Sequence, residues 1–185
     1  METLRTGLMF IALVAFLTAF GFGVMSTTTS RWYVDERNTD TTLDEPRNIV
    51  NRGLWQWCDY DGVCFKIPDD EYLDAVRAFS ILSLIIALVS LGLSLMAVNE
   101  DGTKLKLVAA LFFFVTALFQ LIAMGVYTKE IRDMASFDEQ YWGYSFRLGW
   151  AAVFLYGASG LIFLVVATFL AGSPTKVRYG HVNRT

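Results

Sequence analysis

The feature that most constrains this chain is a set of four long runs that contain no charged residue. The runs are 19, 21, 22 and 28 residues long and cover 7–25, 78–98, 107–128 and 148–175. About 20 mostly apolar residues in an α-helix cross the roughly 30 Å hydrocarbon core of a bilayer. Inside that core no water is available to the backbone N–H and C=O groups. Each run can therefore cross it only as a helix, which satisfies these groups internally. The runs therefore predict four transmembrane helices.

The composition agrees with a membrane protein and argues against several other classes. Hydrophobic residues make up 55% of the 185 residues and charged residues only 18%, whereas about 25% charged residues is usual in soluble domains. The net charge of −3 provides no basic field to attract nucleic acid. With one His and two Cys, the sequence predicts no metal site, no cofactor and no catalytic group of residues, so we do not expect an enzyme.

The predicted layout is a single domain with both termini on the same side of the membrane. We expect transmembrane helices at 7–25, 75–98, 105–128 and 144–172. The segments that join and follow them are 26–74, 99–104, 129–143 and the tail 173–185. A cleaved signal peptide is the alternative for the first run. The apolar part of a signal peptide usually has 7–15 residues, so the longer run favours an uncleaved helix.

The distribution of Lys and Arg favours cytoplasmic termini. Six of these residues lie in the short segments 1–6, 99–106 and 176–185, whereas nine are spread over 26–77 and 129–147. Basic residues in short loops mark the cytoplasmic side. Both cysteines lie in segment 26–74, and disulfides persist outside the cytosol. We therefore expect a multi-pass plasma-membrane protein whose segments 26–74 and 129–143 are extracellular and whose loop 99–104 and tail 173–185 are cytoplasmic.

The first long segment combines a polar stretch with three strand-like stretches. Residues 35–47 are rich in Asp, Glu, Asn and Thr and predict a connection, whereas 31–34, 48–58 and 63–67 contain the aromatic and β-branched residues typical of strands. Gly62 indicates a turn before the last of them. A small antiparallel sheet is marginal by itself, so a disulfide between Cys58 and Cys64 would stabilise it. Two unrelated free thiols remain the alternative.

The order of residues in this segment resembles the W…GLW…C…C signature of the claudin superfamily. The matching positions are Trp32, Gly53, Leu54, Trp55, Cys58 and Cys64. Arg77 begins the segment Arg77-Ala78-Phe79-Ser80-Ile81-Leu82-Ser83. This segment is similar to one in the branch of peripheral myelin, epithelial membrane and lens fibre membrane intrinsic proteins. The resemblance covers about residues 8–170. It implies a four-transmembrane, left-handed α-helical bundle with a small extracellular antiparallel β-sheet.

The resemblance also implies a function for the extracellular sheet. We expect a non-enzymatic membrane protein that organises cell–cell contact, junctions or membrane architecture. Its expected partners are membrane lipids and other membrane proteins in the same or an apposed membrane. The sequence leaves open whether the protein also forms a homo-oligomer. The candidate contact residues are Trp57, Phe65 and Trp142. The two tryptophans also fit an aromatic belt at the membrane interface, together with Trp55, Tyr144 and Trp150. Two alternatives stay open: an auxiliary subunit of a channel or receptor, as in the gamma-subunit branch, and a cation-favouring paracellular claudin.

Small residues on the helices indicate close packing. Ala15, Ala19 and Gly23 recur every four residues in the first run, and the second run has the pairs Ser83–Ala87 and Ser90–Ser94. Such faces let helix backbones approach closely in lipid, and we favour packing within the chain over dimerisation. We interpret Gln120, an amide deep in the third run, as an interhelical hydrogen-bonding group rather than part of a permeation path. Arg77 is expected to bond carbonyls or acids of the sheet.

Overall fold

The computed structural model describes residues 2–34, 49–59, 61–68, 70–99, 102–134 and 141–169, and within them it contains four long helices. The helices are α1 (Glu2–Thr28), α2 (Glu71–Asn99), α3 (Thr103–Met134) and α4 (Tyr144–Phe169). Each is long and apolar enough to cross a membrane. The polar connection predicted at 35–47 and the tail predicted at 173–185 lie outside the described residues.

Three of the four helices extend beyond the predicted transmembrane segments. Helix α1 runs through the last residues of the first run as far as Thr28. Helix α2 starts at Glu71, with Glu71 and Asp74 in its first turn, where acidic side chains interact favourably with the helix dipole. Helix α3 continues through charged residues as far as Met134. Hydropathy locates the segment that can lie in lipid, whereas the helix itself ends where its backbone hydrogen bonding ends.

The helices pack closely because aromatic residues on some faces meet small residues on others. Phe113 of α3 lies at the centre, with its ring centroid 4.2 Å from that of Phe16 and 5.1 Å from that of Phe163. Gly160 of α4 lies against Phe113, and a Cβ atom at that glycine would stand 3.2 Å from the Phe113 Cβ. This cluster forms the core of the half of the bundle away from the sheet.

A regular face of small residues joins α2 to α3. The buried residues of this face follow alternating spacings of three and four, and they are Ser80, Ser83, Ala87, Ser90, Ser94 and Ala97. Ser83 donates a hydrogen bond to the Gln120 Oε1 atom at 2.6 Å, and the Ser90 and Thr116 hydroxyls lie 3.2 Å apart. The small residues therefore pack within the chain, and Gln120 makes the interhelical bond that the sequence predicts.

One end of the bundle carries an antiparallel sheet of five short strands. The strands are β1 (Tyr33–Val34), β2 (Ile49–Arg52), β3 (Gln56–Asp59), β4 (Cys64–Lys66) and β5 (Tyr141–Trp142). Their order across the sheet is β4-β3-β2-β1-β5. The central strand β2 pairs with β1 through Tyr33 opposite Arg52, and with β3 through Arg52 opposite Trp57. A four-helix bundle with a small antiparallel sheet is the fold class that the sequence predicts.

The sheet differs from the predicted one in two ways. The prediction of one strand at 48–58 was wrong in its middle. The chain turns at 53–55 and forms two strands, β2 and β3, instead. The segment between α3 and α4 also contributes the edge strand β5, which pairs with β1 through Trp142 opposite Tyr33 and which the sequence did not predict. The two segments at this end of the bundle therefore form one structure.

Candidate functional site at the sheet end of the bundle

Two tryptophans from the sheet complete the hydrogen bonding of the end of α1. The last carbonyls of a helix have no partner within it. The Trp32 Nε1 atom donates to the Ser26 carbonyl at 2.6 Å, and the Trp55 Nε1 atom donates to the Thr27 carbonyl at 2.7 Å. The two indoles therefore satisfy the backbone of α1 and attach the sheet to it.

Trp32 is also the main apolar contact between the sheet and the helices. Its side chain is fully buried. Its ring centroid lies 4.6 Å from that of Tyr127 on α3 and 6.1 Å from that of Phe146 on α4, both in edge-on arrangements. Edge-on aromatic pairs contribute beyond the area that they bury. The first residue of the predicted signature thus connects α1, α3 and α4.

Gly53 lets the β2–β3 turn approach the chain that leaves α1. A Cβ atom at this position would stand 2.5 Å from the Ser30 Cα atom and 3.1 Å from the Thr29 carbonyl oxygen. Ordinary carbon–carbon contacts are 3.5–4.0 Å, so no larger residue fits without moving backbone. The Gly53 N–H donates to the Gln56 carbonyl at 2.9 Å, which closes the turn.

Arg77 attaches the same turn to α2. Its Nε atom donates to the Leu54 carbonyl at 2.9 Å, and its Nη1 atom donates to the Asp74 carboxylate at 2.7 Å. The guanidinium carbon also lies 5.2 Å from the centroid of the Trp55 ring, within the range of a cation–π contact. Leu54 is fully buried and Arg77 is largely buried. The Gly53-Leu54-Trp55 turn and Arg77 therefore form one contact region.

The outer end of the sheet is held by a disulfide and a pair of stacked rings. Cys58 of β3 and Cys64 of β4 are bonded, with their Cα atoms 4.1 Å apart. Next to them, the rings of Trp57 and Phe65 stack with their centroids 4.6 Å apart. Gly62 takes a φ of +77° in the intervening turn, a conformation that glycine adopts without steric cost. The predicted disulfide is therefore confirmed.

Sequence reasoning missed the contribution of the segment that precedes α4. The Gly143 N–H donates to the Trp32 carbonyl at 3.0 Å and the Ser145 N–H donates to the Arg31 carbonyl at 3.1 Å. The Thr29 and Ser145 hydroxyls lie 2.6 Å apart. A Cβ atom at Gly143 would collide with the Arg31 carbonyl. The available signal was this glycine between two aromatic residues, but its packing partner lies more than a hundred residues away.

The three residues predicted as partner contacts lie in two different environments. Phe65 is 45% exposed on β4, and its stacking partner Trp57 is half-buried. Trp142 of β5 is also half-buried, and its ring stacks on Phe146 of α4 with centroids 4.1 Å apart. Trp57 and Phe65 therefore lie together at one edge of the sheet, whereas Trp142 lies at the other edge against the bundle.

The model of the PMP-22/EMP/MP20/Claudin family matches residues 5–163. The chain belongs to this family. The match covers all five strands, and all four helices except the first three residues of α1 and the last part of α4. A four-helix membrane protein with a disulfide in its sheet is consistent with that membership, and the chain is a multi-pass membrane protein.

Proteins similar to this chain include members of two groups of the family. Lens fiber membrane intrinsic protein of Rattus norvegicus is 26% identical over 123 residues, which cover 63% of this chain and 71% of the relative. The Homo sapiens protein of the same name is 27% identical over 124 residues, with the same coverage. Epithelial membrane protein 1 of Oryctolagus cuniculus is 32% identical over 121 residues, which cover 62% of this chain and 74% of the relative.

Proposed function

We propose that this protein is a non-enzymatic organiser of cell–cell contact, junctions or membrane architecture, and that it acts through an apolar patch at the free edge of its sheet. The patch consists of Val63, Phe65 and Trp57 and is called the β4 patch below. The proposed topology puts both termini in the cytoplasm and the sheet outside the cell.

The observation that carries the proposal is the exposure of the β4 patch. Val63 is 50% exposed and Phe65 is 45% exposed. Val63 immediately precedes β4 and Phe65 lies within it, so neither is on a lipid-facing helix surface. Strand β4 forms one edge of the sheet, and all three of its residues are exposed. An edge strand presents unpaired backbone groups that can pair with another chain. The exposed apolar side chains of Val63 and Phe65 at this edge therefore form a suitable contact surface.

The same region is held rigid, which favours binding. The Cys58–Cys64 bond joins β3 to β4, and the Trp57 ring stacks on Phe65. A surface that is already ordered loses less conformational freedom when it binds a partner. The disulfide therefore stabilises the fold and also supports the geometry of the β4 patch.

Charge and cysteine chemistry support the proposed orientation. The basic residues are denser in the short segments on the side of the termini, which favours a cytoplasmic position for that side. The disulfide lies on the opposite side, and such bonds persist in the secretory lumen and outside the cell. The β4 patch would then face a neighbouring cell or a neighbouring protein in the same membrane.

A mixed-culture experiment tests the proposal. Tagged protein is expressed in adherent cells and its density at contacts is compared with its density on free surface. The double variant Val63→Ser with Phe65→Ser should lose enrichment at contacts, because it removes the apolar side chains. The matched control Lys66→Ser changes an exposed residue of the same strand and should keep it.

The mixed culture contains neighbouring cells that express the protein and neighbouring cells that do not, and comparing their contacts distinguishes the possible partners. Enrichment only where both cells express the protein indicates contact between two copies. Enrichment against non-expressing neighbours indicates a different membrane partner. If the original protein is distributed evenly at every boundary while reaching the surface normally, the proposal is wrong.

A further inference from the structure

A small cleft lies where the end of α1 meets the β2–β3 turn. Its volume is about 260 Å³, and it is lined by Thr28, Thr29, Ser30, Trp55 and Gln56. Thr28 is the last residue of α1, so the cleft lies at the end of a transmembrane helix. Tryptophans are enriched at that depth, where the bilayer meets water. A group bound here would therefore be at the level of lipid headgroups.

The lining offers hydroxyl and amide groups that other parts of the fold do not use. Within the described part of the chain, neither the Ser30 hydroxyl nor the Gln56 amide forms a side-chain hydrogen bond. The Thr28 hydroxyl donates to the Val24 carbonyl at 2.8 Å, which leaves its oxygen able to accept a bond. Both Gln56 and Thr28 are exposed. The cleft therefore presents neutral donors and acceptors.

Trp55 supplies a fixed aromatic surface beside these groups. Its Nε1–H is bonded to the Thr27 carbonyl, so the ring cannot turn freely. The indole is 41% exposed, and the Arg77 guanidinium lies over the ring at 5.2 Å from the centroid. The exposed part of the indole lines the cleft. An apolar face of a ligand can pack there while its polar edges reach the hydroxyls and the amide.

The charges around the cleft select against ionic ligands. The Arg77 guanidinium already occupies the cation-binding position on Trp55, so a quaternary ammonium headgroup would meet a like charge. No basic residue lines the cleft, and the neighbouring Arg31 lies over the Tyr144 ring at 5.8 Å from its centroid. The lining itself therefore offers no cation to a phosphate, and the nearby Arg77 guanidinium already donates to the Leu54 carbonyl and the Asp74 carboxylate. A neutral ligand with many hydroxyl groups fits this environment best.

From this geometry we infer that the cleft binds the hexose of a neutral glycolipid headgroup. A pyranose ring has an apolar face of C–H groups for Trp55 and equatorial hydroxyls for Ser30, Gln56 and Thr28. The cleft volume is slightly below the roughly 300–1,000 Å³ of sites for drug-sized molecules, which suits one sugar ring. The lipid chains would remain in the bilayer beside α1. The inference does not depend on the use of the β4 patch.

A stability measurement in defined membranes tests this inference. Full-length protein is placed in phosphatidylcholine nanodiscs that contain either glucosylceramide or the same fraction of ceramide. A ligand that binds only the folded state raises the unfolding temperature, so we expect a higher Tm with glucosylceramide. Titration of the glycolipid fraction then gives an apparent affinity. The variant Gln56→Ala should reduce it about fivefold, as expected for the loss of one hydrogen bond, and Ser30→Ala should act in the same direction.

Lys66→Ala is the matched control, because Lys66 is exposed and lies directly opposite Gln56 in the ladder, but does not line the cleft. It should keep the original affinity. A separate addition of soluble methyl glucoside identifies the source of the sugar. If the soluble glycoside raises Tm as well, the hexose site stands but also accepts glycans from outside the membrane. Equal Tm values with glucosylceramide and ceramide would overturn the inference, as would an affinity that Gln56→Ala and Lys66→Ala leave equally unchanged.

Discussion

The replacement of Gly53 by alanine should separate the sheet from the bundle. The added Cβ atom would stand 2.5 Å from the Ser30 Cα atom, at least about 1 Å inside normal contact. The backbone fixes the position of a Cβ atom, and its clash partner is a backbone atom, so no side-chain rotation can relieve the contact. The turn must therefore move away from the chain that leaves α1.

The expected cost follows from the bonds that cross this contact. Overpacking of this kind costs about 1–3 kcal/mol, and the weakening of one backbone hydrogen bond adds about 1 kcal/mol. The nearest such bonds are Trp32 N–H to the Arg52 carbonyl at 3.1 Å and Gly53 N–H to the Gln56 carbonyl at 2.9 Å. We expect Gly53→Ala to lower the free energy of unfolding by about 2–4 kcal/mol, which corresponds to a decrease in Tm on the order of 10 °C.

Thermal unfolding of purified protein in nanodiscs measures this effect. The matched control is Gly125→Ala in α3, where a Cβ atom would meet nothing within 4 Å. Alanine favours a helix interior over glycine by about 0.5–1 kcal/mol, so the control should unfold at the original temperature or slightly above it. If Gly53→Ala unfolds at the same temperature as Gly125→Ala, the close approach of the turn to Ser30 is refuted.

Four further variants test the remaining contacts. Trp32→Phe removes the indole donor to the Ser26 carbonyl and should cost about 1–3 kcal/mol in the same unfolding assay, and an unchanged Tm would contradict the capping role. Arg77→Met removes the donor to the buried Leu54 carbonyl and should cost about 1.5–3 kcal/mol. Its exposed partner Asp74 contributes little, so Asp74→Asn should change the Tm by much less, and equal effects would show that the ion pair dominates. The double variant Cys58→Ser with Cys64→Ser should lower stability by about 2–3 kcal/mol, and reductant should then have no further effect on the variant.

The helices could be predicted because their signal is local. A run without charged residues that is long enough to cross a bilayer rarely forms anything other than a transmembrane helix. The four runs correspond to the four helices. The small residues at Ser83, Ala87, Ser90 and Ser94 also predicted a packed face, since spacing alone decides which side chains share a helix face. The end of α3 could not be found in this way. Lys129, Glu130 and Arg132 end the run without charge, but the helix continues through them as far as Met134.

The sheet was predicted less completely because its order depends on distant contacts. Gly53 lies inside a stretch rich in strand-forming residues, and this composition concealed the turn that the contact with Ser30 requires. Strand β5 has two residues, too few for any alternation to be visible. Its position is set by hydrogen bonds from Gly143 and Ser145 to the chain around Trp32. The sequence alone does not show that these two distant segments are hydrogen-bonded to each other.

The most direct test of this account is the side of the membrane on which the disulfide of the sheet lies. Intact cells are treated with a membrane-impermeant maleimide, with and without prior treatment with an impermeant reductant. Cys58 and Cys64 are bonded to each other, and Cys64 is exposed. We expect labelling of intact cells only after reduction. Labelling that appears only once the plasma membrane has been opened would contradict the outward position of the sheet and, with it, the proposed contact function.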